Sequence, residues 1–292
     1  MPNVRANGID IEYDECGNPN DPALLLIMGF TAQMTAWDEE FCRLLAGEGF
    51  RVIRFDNRDC GLTTKIEGGP DPDITAAIGG DASSAAYSLD DMADDAAGLL
   101  DALGVAKAHI VGASMGGMIA QLVALRHPDK ALSLCSIMSS TGDRTVGEPT
   151  PEAMSALLQP IPQSRDEAIE RGVSVNGIIG SPGYPTPEAK LRERSGRAYD
   201  RQFYPAGNAR QLVAIMAQED RTEALGGVDV PALVIHGAAD PLVQPSGGEA
   251  TAKAIPGAEL LTIEGMGHDL PEQVWPLVVE AIVGNARKAV SS

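Results

Sequence analysis

The five residues Gly112-Ala113-Ser114-Met115-Gly116 combine the residue types and spacing that nucleophilic chemistry needs. The short apolar run Ile110-Val111 leads into them and a run of small and apolar residues follows at once, giving the order strand, sharp turn, helix. A serine at the tip of such a turn has its hydroxyl pushed clear of the sheet. Glycines two positions either side let strand and helix approach closely. The backbone N–H groups of Ser114 and Met115 then lie at a helix N-terminus, where free donors favour negative charge. The arrangement suits a serine that must hand an oxyanion to fixed donors.

A serine hydroxyl needs a base to take its proton, and histidine titrates in the right range. The chain has four histidines. His109 begins the strand before Ser114 and belongs at the far end of the sheet. His127 stands at a helix end beside Pro128, where it favours the helix C-terminus electrostatically. His236 closes a strand near the expected active edge. His268 follows the last strand in the loop Glu264-Gly265-Met266-Gly267-His268, and loops after parallel strands gather at the edge that carries Ser114. His268 is therefore the favoured base, with His236 as the alternative.

The imidazole in turn needs a carboxylate to fix its tautomer and stabilise its cation. Asp240, in Gly237-Ala238-Ala239-Asp240-Pro241, lies just beyond the preceding strand on the same edge, and Asp143 and Asp269 are the alternatives. Oxyanion donors are expected to be the backbone N–H groups of Met115 and of Phe30, the latter in the loop that follows a buried strand at 24–28. Asp56 and Arg58, opposite charges two positions apart in a turn, read as loop-bracing groups.

The elements that must position these groups follow from periodicity. Residues 3–15 read as a hairpin turning at Asn7-Gly8. The continuously apolar run Ala23–Met28 and the stretches Phe50–Phe55, Ile110-Val111 and Ala131–Met138 read as buried strands, and helices alternate with them. Ser88 caps a helix that ends at Gly104, and residues 62–87 read as a long surface loop. From 141 to 226 the pattern changes to helical stretches at 152–158, 165–173, 189–203 and 209–217, broken by prolines and glycines. Strands return at Val230–His236 and Ala258–Ile263, and a helix at Pro271–Ala286 closes the chain. The expected fold class is α/β. Residues 1–140 and 227–292 form a mostly parallel sheet with flanking helices, and 141–226 form an inserted helical cap whose apolar residues, among them Leu157, Ile178, Ile179, Phe203 and Tyr204, roof a pocket.

The order strands, Ser114 turn, helical insertion, Asp240 loop, His268 loop resembles the α/β-hydrolase superfamily over nearly the whole chain. Within it, Leu25-Leu26-Ile27-Met28-Gly29-Phe30 and Phe55-Asp56-Asn57-Arg58-Asp59-Cys60-Gly61-Leu62-Thr63 resemble bacterial serine esterases of the aclacinomycin methylesterase type. The resemblance implies a Ser–His–Asp carboxylic-ester hydrolase with a helical cap. Met28 departs from the wider family, many members of which have histidine before the oxyanion glycine, so loop rigidity has to come from elsewhere.

A net charge of −19 argues against nucleic acid or an anionic membrane as partner and favours a neutral small-molecule substrate. The expectation is therefore a neutral, fairly apolar ester, methyl and other short-alcohol esters among them. A lactonase, C–C bond hydrolase or perhydrolase on the same triad, or a ligand-sensing receptor with slow turnover, are the alternatives. No stretch has the length of a membrane span, the N-terminus lacks a secretory apolar core, and the four scattered cysteines read as free thiols, so the expected location is cytoplasmic. No metal-ligand spacing or nucleotide-binding glycine loop occurs in the sequence, so no cofactor and no metal are expected.

Overall fold

The computed structural model describes residues 2–289. Strands β1 (Asn3–Ala6) and β2 (Ile9–Cys16) form the expected hairpin, with Asn7 and Gly8 at positive φ in its turn. Strand β3 (Ala23–Ile27) is buried at every position, as a strand covered on both faces must be. Helix α1 (Glu39–Gly47) follows, N-capped by Asp38, and then β4 (Arg51–Phe55). A short helix α2 (Ile74–Ile78) interrupts the stretch 62–87, which therefore is not wholly loop; Asp73 caps it by accepting the Ala76 N–H. Helix α3 (Leu89–Ala102) opens on a capping box between Ser88 and Asp91.

Strand β5 (Ala108–Ala113) runs into helix α4 (Met115–Arg126), and β6 (Ala131–Ile137) follows. Helix α4 has ten buried residues in its twelve, so it packs in the interior rather than along it. Four helices then succeed one another: α5 (Pro151–Leu157), α6 (Arg165–Ile179), α7 (Glu188–Arg201) and α8 (Pro205–Met216). Helix α6 continues six residues beyond the expected end at Val173. Strand β7 (Ala232–Gly237), helix α9 (Pro245–Ala254), strand β8 (Glu259–Ile263) and helix α10 (Trp275–Lys288) complete the chain. Helix α9 has no counterpart in the sequence reading because Pro-Ser-Gly-Gly-Glu-Ala-Thr-Ala-Lys-Ala carries no apolar stripe; small residues let it lie close on β7 instead.

The eight strands form one sheet in the order β1-β2-β4-β3-β5-β6-β7-β8, parallel from β4 through β8 and antiparallel at β1 and β2. Alternate residues of β3 point to opposite layers. Leu25 and Ile27 join the core under α3 and α4, and Leu24 and Leu26 join the core under α1 and α10. Strand β8 is the sheet edge, which is why Glu259 and Leu260 are exposed in an otherwise apolar run. The central strands β3 and β5 end side by side, Ile27 opposite Gly112, so the loops leaving them meet. This is the carboxyl edge where the candidate site lies.

Candidate functional site

Ser114 sits between β5 and α4 with φ 57° and ψ −124°, a conformation costly for a residue with a side chain. The surroundings impose it. The Ser114 N–H donates to the Ile137 carbonyl at 2.9 Å, while the Ser114 carbonyl accepts from the Gly117 N–H at 2.8 Å. Strand and helix close so tightly that a Cβ at Gly112 would lie 1.9 Å from the Gly116 carbonyl oxygen. One at Gly116 would lie 2.1 Å from that of Ile27. Both glycines are required by this close approach.

His268 lies in the loop after β8. Its Nε2 is 2.9 Å from Ser114 Oγ and its Nδ1 is 2.8 Å from Asp240 Oδ2. The carboxylate accepts the Nδ1 proton, which leaves Nε2 as an acceptor for the serine hydroxyl. Asp240 is fully buried, and its second oxygen accepts the N–H groups of Leu242 (2.9 Å) and Val243 (3.0 Å), so the carboxylate is fixed from behind. The three residues favoured from sequence thus stand in one hydrogen-bonded line, from positions 114, 240 and 268.

The alternatives fall elsewhere. His236, in β7, directs Nε2 to the Val243 carbonyl at 2.7 Å and stands 3.6 Å from Asp240; burial lowers its pKa. Asp143 accepts from the Thr145 N–H and hydroxyl in its own turn. Asp269 accepts from Ser181 and Asn176. His109 is buried at the start of β5 with Nδ1 2.9 Å from Ser133 Oγ, and burial pushes its pKa down to about 4. His127 pairs with Asp94 at the end of α4.

Opposite Ser114 runs the loop after β3. A Cβ at Gly29 would come within 2.9 Å of Ser114 Cβ, so the loop passes directly over the serine. The N–H groups of Phe30 and Met115 have no intramolecular partner among the described residues. The rigidity that Met28 does not supply comes from Asn57, whose Nδ2 donates to the Met28 carbonyl at 2.8 Å. Asp56 and Arg58 brace as expected. Buried Asp56 accepts from the Met34 and Leu62 N–H groups and pairs with Arg201 of α7 at 2.7 Å, and Arg58 pairs with Asp95 at 2.7 Å.

A strap from the end of α6 holds the histidine loop from the other side. The His268 N–H donates to the Ile179 carbonyl at 2.6 Å, and the Gly183 N–H donates to the Gly265 carbonyl at 2.9 Å. Ser181 Oγ accepts from the Gly267 N–H at 2.9 Å and donates to Asp269. Sequence reading missed Asn57 and Ser181, because an Asn in a turn and a Ser after a helix carry no local sign of a distant partner.

Between these loops and the helices lies a cleft of about 940 Å³ with Ser114 and His268 in its wall. Leu157, Ile179, Phe203 and Tyr204 line it as expected. Ile178 does not; it is exposed, because the adjacent Ile179 takes the inward face of α6. Arg171 also lines the cleft, donating to the Leu157 carbonyl that ends α5. Among the described residues no group of three or more His, Cys, Asp or Glu is placed to hold a metal ion. No helix among them is long and apolar enough to cross a membrane.

A family profile for the alpha/beta hydrolase fold matches residues 22–273. The chain belongs to the alpha/beta hydrolase family. Rhodomycin D methylesterase DauP of Streptomyces sp. (strain C5) is 31% identical, with 94% of this chain and 93% of that one covered. The bifunctional esterase/perhydrolase DCH of Acinetobacter calcoaceticus is 26% identical over 91% of each chain. Among solved structures, a meta-cleavage product hydrolase from Pseudomonas fluorescens IP01 superposes with a TM-score of 0.76 at 22% identity. That match covers 99% of this chain and 98% of the other, and it shows the shared fold. The α/β-hydrolase is thus of the methylesterase type that its motifs at 25–30 and 55–63 resemble, and it is a carboxylic-ester hydrolase.

Proposed function

We propose that this α/β-hydrolase cleaves neutral, fairly apolar carboxylic esters, methyl and other short-alcohol esters among them, through an acyl-enzyme on Ser114. The observation that carries the reading is the line Asp240–His268–Ser114, with contacts of 2.8 and 2.9 Å and the serine in a strained turn. Ser114 Oγ attacks the ester carbonyl carbon while His268 Nε2 takes its proton, and Asp240 stabilises the resulting imidazolium. The carbonyl oxygen, now negative, meets the N–H groups of Phe30 and Met115. Collapse expels the alcohol, which leaves with the proton from His268. Water then enters, gives a proton to the same nitrogen and attacks the acyl carbon, and release of the carboxylic acid restores the Ser114 hydroxyl.

Residues 141–226 act as a cap over the core formed by 1–140 and 227–292, and their inward side chains select the substrate. The similarity to a rhodomycin D methylesterase supports an ester with a small alcohol. The net charge of −19 supports a neutral one, since the protein's field opposes the approach of anions. Ser114→Ala tests the mechanism. It should abolish both hydrolysis of p-nitrophenyl esters and labelling by a fluorophosphonate probe, and label surviving in the variant would move the nucleophile elsewhere. A panel of esters varied separately in acyl and alcohol size tests the substrate class.

A further inference from the structure

Phe30 stands between two neighbours whose backbones are held by side chains from other parts of the molecule. Before it, the Met28 carbonyl accepts from Asn57. After it, the Thr31 N–H donates to Gln211 Oε1 at 3.0 Å, across 180 positions of sequence. Gln211 lies on α8 and is 1% exposed. Its Nε2 donates to the Arg58 carbonyl at 2.9 Å, and Arg58 is itself clamped by Asp95 through two bonds of 2.7 and 2.8 Å. The amide is therefore fixed at both ends, with its oxygen toward a donor and its nitrogen toward an acceptor; turning it over would break both bonds.

Thr31 needs such a hold. Its φ is 61°, a left-handed conformation that is unfavourable for a β-branched residue and persists only where the surroundings impose it. The Ala32 N–H closes a turn on the Gly29 carbonyl at 3.3 Å with Thr31 at its third position, and the buried Gln211 amide bonded to the Thr31 N–H fixes that turn to α8. It also occupies the Thr31 N–H, while the Phe30 N–H has no intramolecular partner among the described residues. Gln33, two residues on, is tied to the same helical region, donating to the Ala198 and Gln202 carbonyls at 2.7 and 2.9 Å.

We propose that Gln211 is a positioning residue for the oxyanion site: from α8 it fixes the 28–31 loop so that the Phe30 N–H points at the developing negative charge. This rests on the reading of Ser114 as nucleophile. It makes the helical region that shapes the pocket also a structural part of the chemistry. Gln211 touches no reacting atom, so its effect falls on transition-state stabilisation and not on ground-state binding.

The test uses Gln211→Met, which keeps the volume and removes both bonds, and Gln211→Asn, which stays polar but is one methylene short. For each, kcat and KM on p-nitrophenyl butyrate are measured with the inhibition constant of a trifluoromethyl ketone, whose adduct with serine carries an oxyanion. Loss of a whole oxyanion donor lowers kcat by about 10²–10³, so a misaimed one should lower it by roughly 10- to 100-fold. KM should hold and the inhibition constant should rise by the same factor. Unchanged kcat in a folded variant, or lowered kcat with an unchanged inhibition constant, overturns the proposal. If Gln211→Met does not fold, Gln211→Asn carries the comparison. Rapid hydrogen exchange at the Thr31 amide of the unaltered protein overturns it independently. The rate of fluorophosphonate labelling separates the two readings. An unaltered protein that labels but hydrolyses no ester refutes the ester reading. A Gln211 variant that labels at the unaltered rate refutes the positioning role.

Discussion

The sheet around Ser114 and the helices between β6 and β7 are held together in different ways. Strand β3 is buried at every position, β5 likewise, and α4 is buried nearly all round. Helix α6, by contrast, buries only Ile169 in fifteen residues, and α7 buries only Gly196 in fourteen. What joins α6 to α7 is a set of exposed ion pairs, Arg165 with Asp200 and Arg192 with Glu170, around small contacts such as Gly172 against Ser195. Apolar burial is strong and tolerates no slack, whereas exposed ion pairs contribute little and can be rearranged. The sheet around Ser114 is held by apolar burial, whereas α6 and α7 are held to each other lightly; α8, with five buried residues, and the Arg201–Asp56 pair anchor the rest of the helical region to the sheet.

Four changes would break or sharpen that contrast. The largest effect is expected from Asp240→Asn, which keeps the shape of the rigid region but presents the wrong partner to His268 Nδ1; kcat should fall by about 10⁴. If Asp143→Asn does this instead, the carboxylate is misassigned. Next comes Leu26→Ala in β3, where the side chain is wholly buried. It should cost about 2–5 kcal/mol of stability by denaturant unfolding, through lost transfer energy and the cavity left behind.

A smaller effect follows from acid. Burial holds the His109 pKa at about 4 in the folded chain, below its ordinary value near 6.5. The unfolded state therefore binds the extra proton first. Stability is complete above pH about 6.5 and declines as pH falls toward 4, by at most about 1.4 kcal/mol per unit for this group. In His109→Gln the fall across that window should be shallower, as read by urea midpoints at each pH; an equal slope would assign the acid sensitivity to other groups. The smallest effect belongs to Arg192→Ala on α7. Removing its exposed pairs with Glu170 and Glu188 should leave the melting temperature within error of the parent. A drop as large as that of Leu26→Ala would end the distinction between the two regions.

Much of the fold was legible because its signals are local. Buried strands read as predominantly apolar stretches, unbroken in β3, and Ser88, Asn7-Gly8 and the glycines around Ser114 mark their cap and turns through chemistry that acts within a few residues. Helix α9 and the short α2 were not legible, since neither has a sustained apolar stripe and both are stabilised by their ends or by what they lie upon. The candidate site divides the same way. The Ser114 turn could be read directly, and the order of Asp240 and His268 followed from the loops that carry them.

The sequence by itself determined the elements, their order, the serine turn and the sheet edge on which the ionisable groups would gather. Those follow from residue spacing and the conformational limits of short segments. Only the tertiary structure decided which carboxylate meets the His268 nitrogen, Asp240 rather than Asp143 or Asp269. It alone placed Asn57 on Met28, Ser181 on the histidine loop and Gln211 on Thr31. Those contacts span 29, 86 and 180 positions of chain. A polar side chain in a turn or on a helix carries no record of its partner until packing brings the two within hydrogen-bond reach.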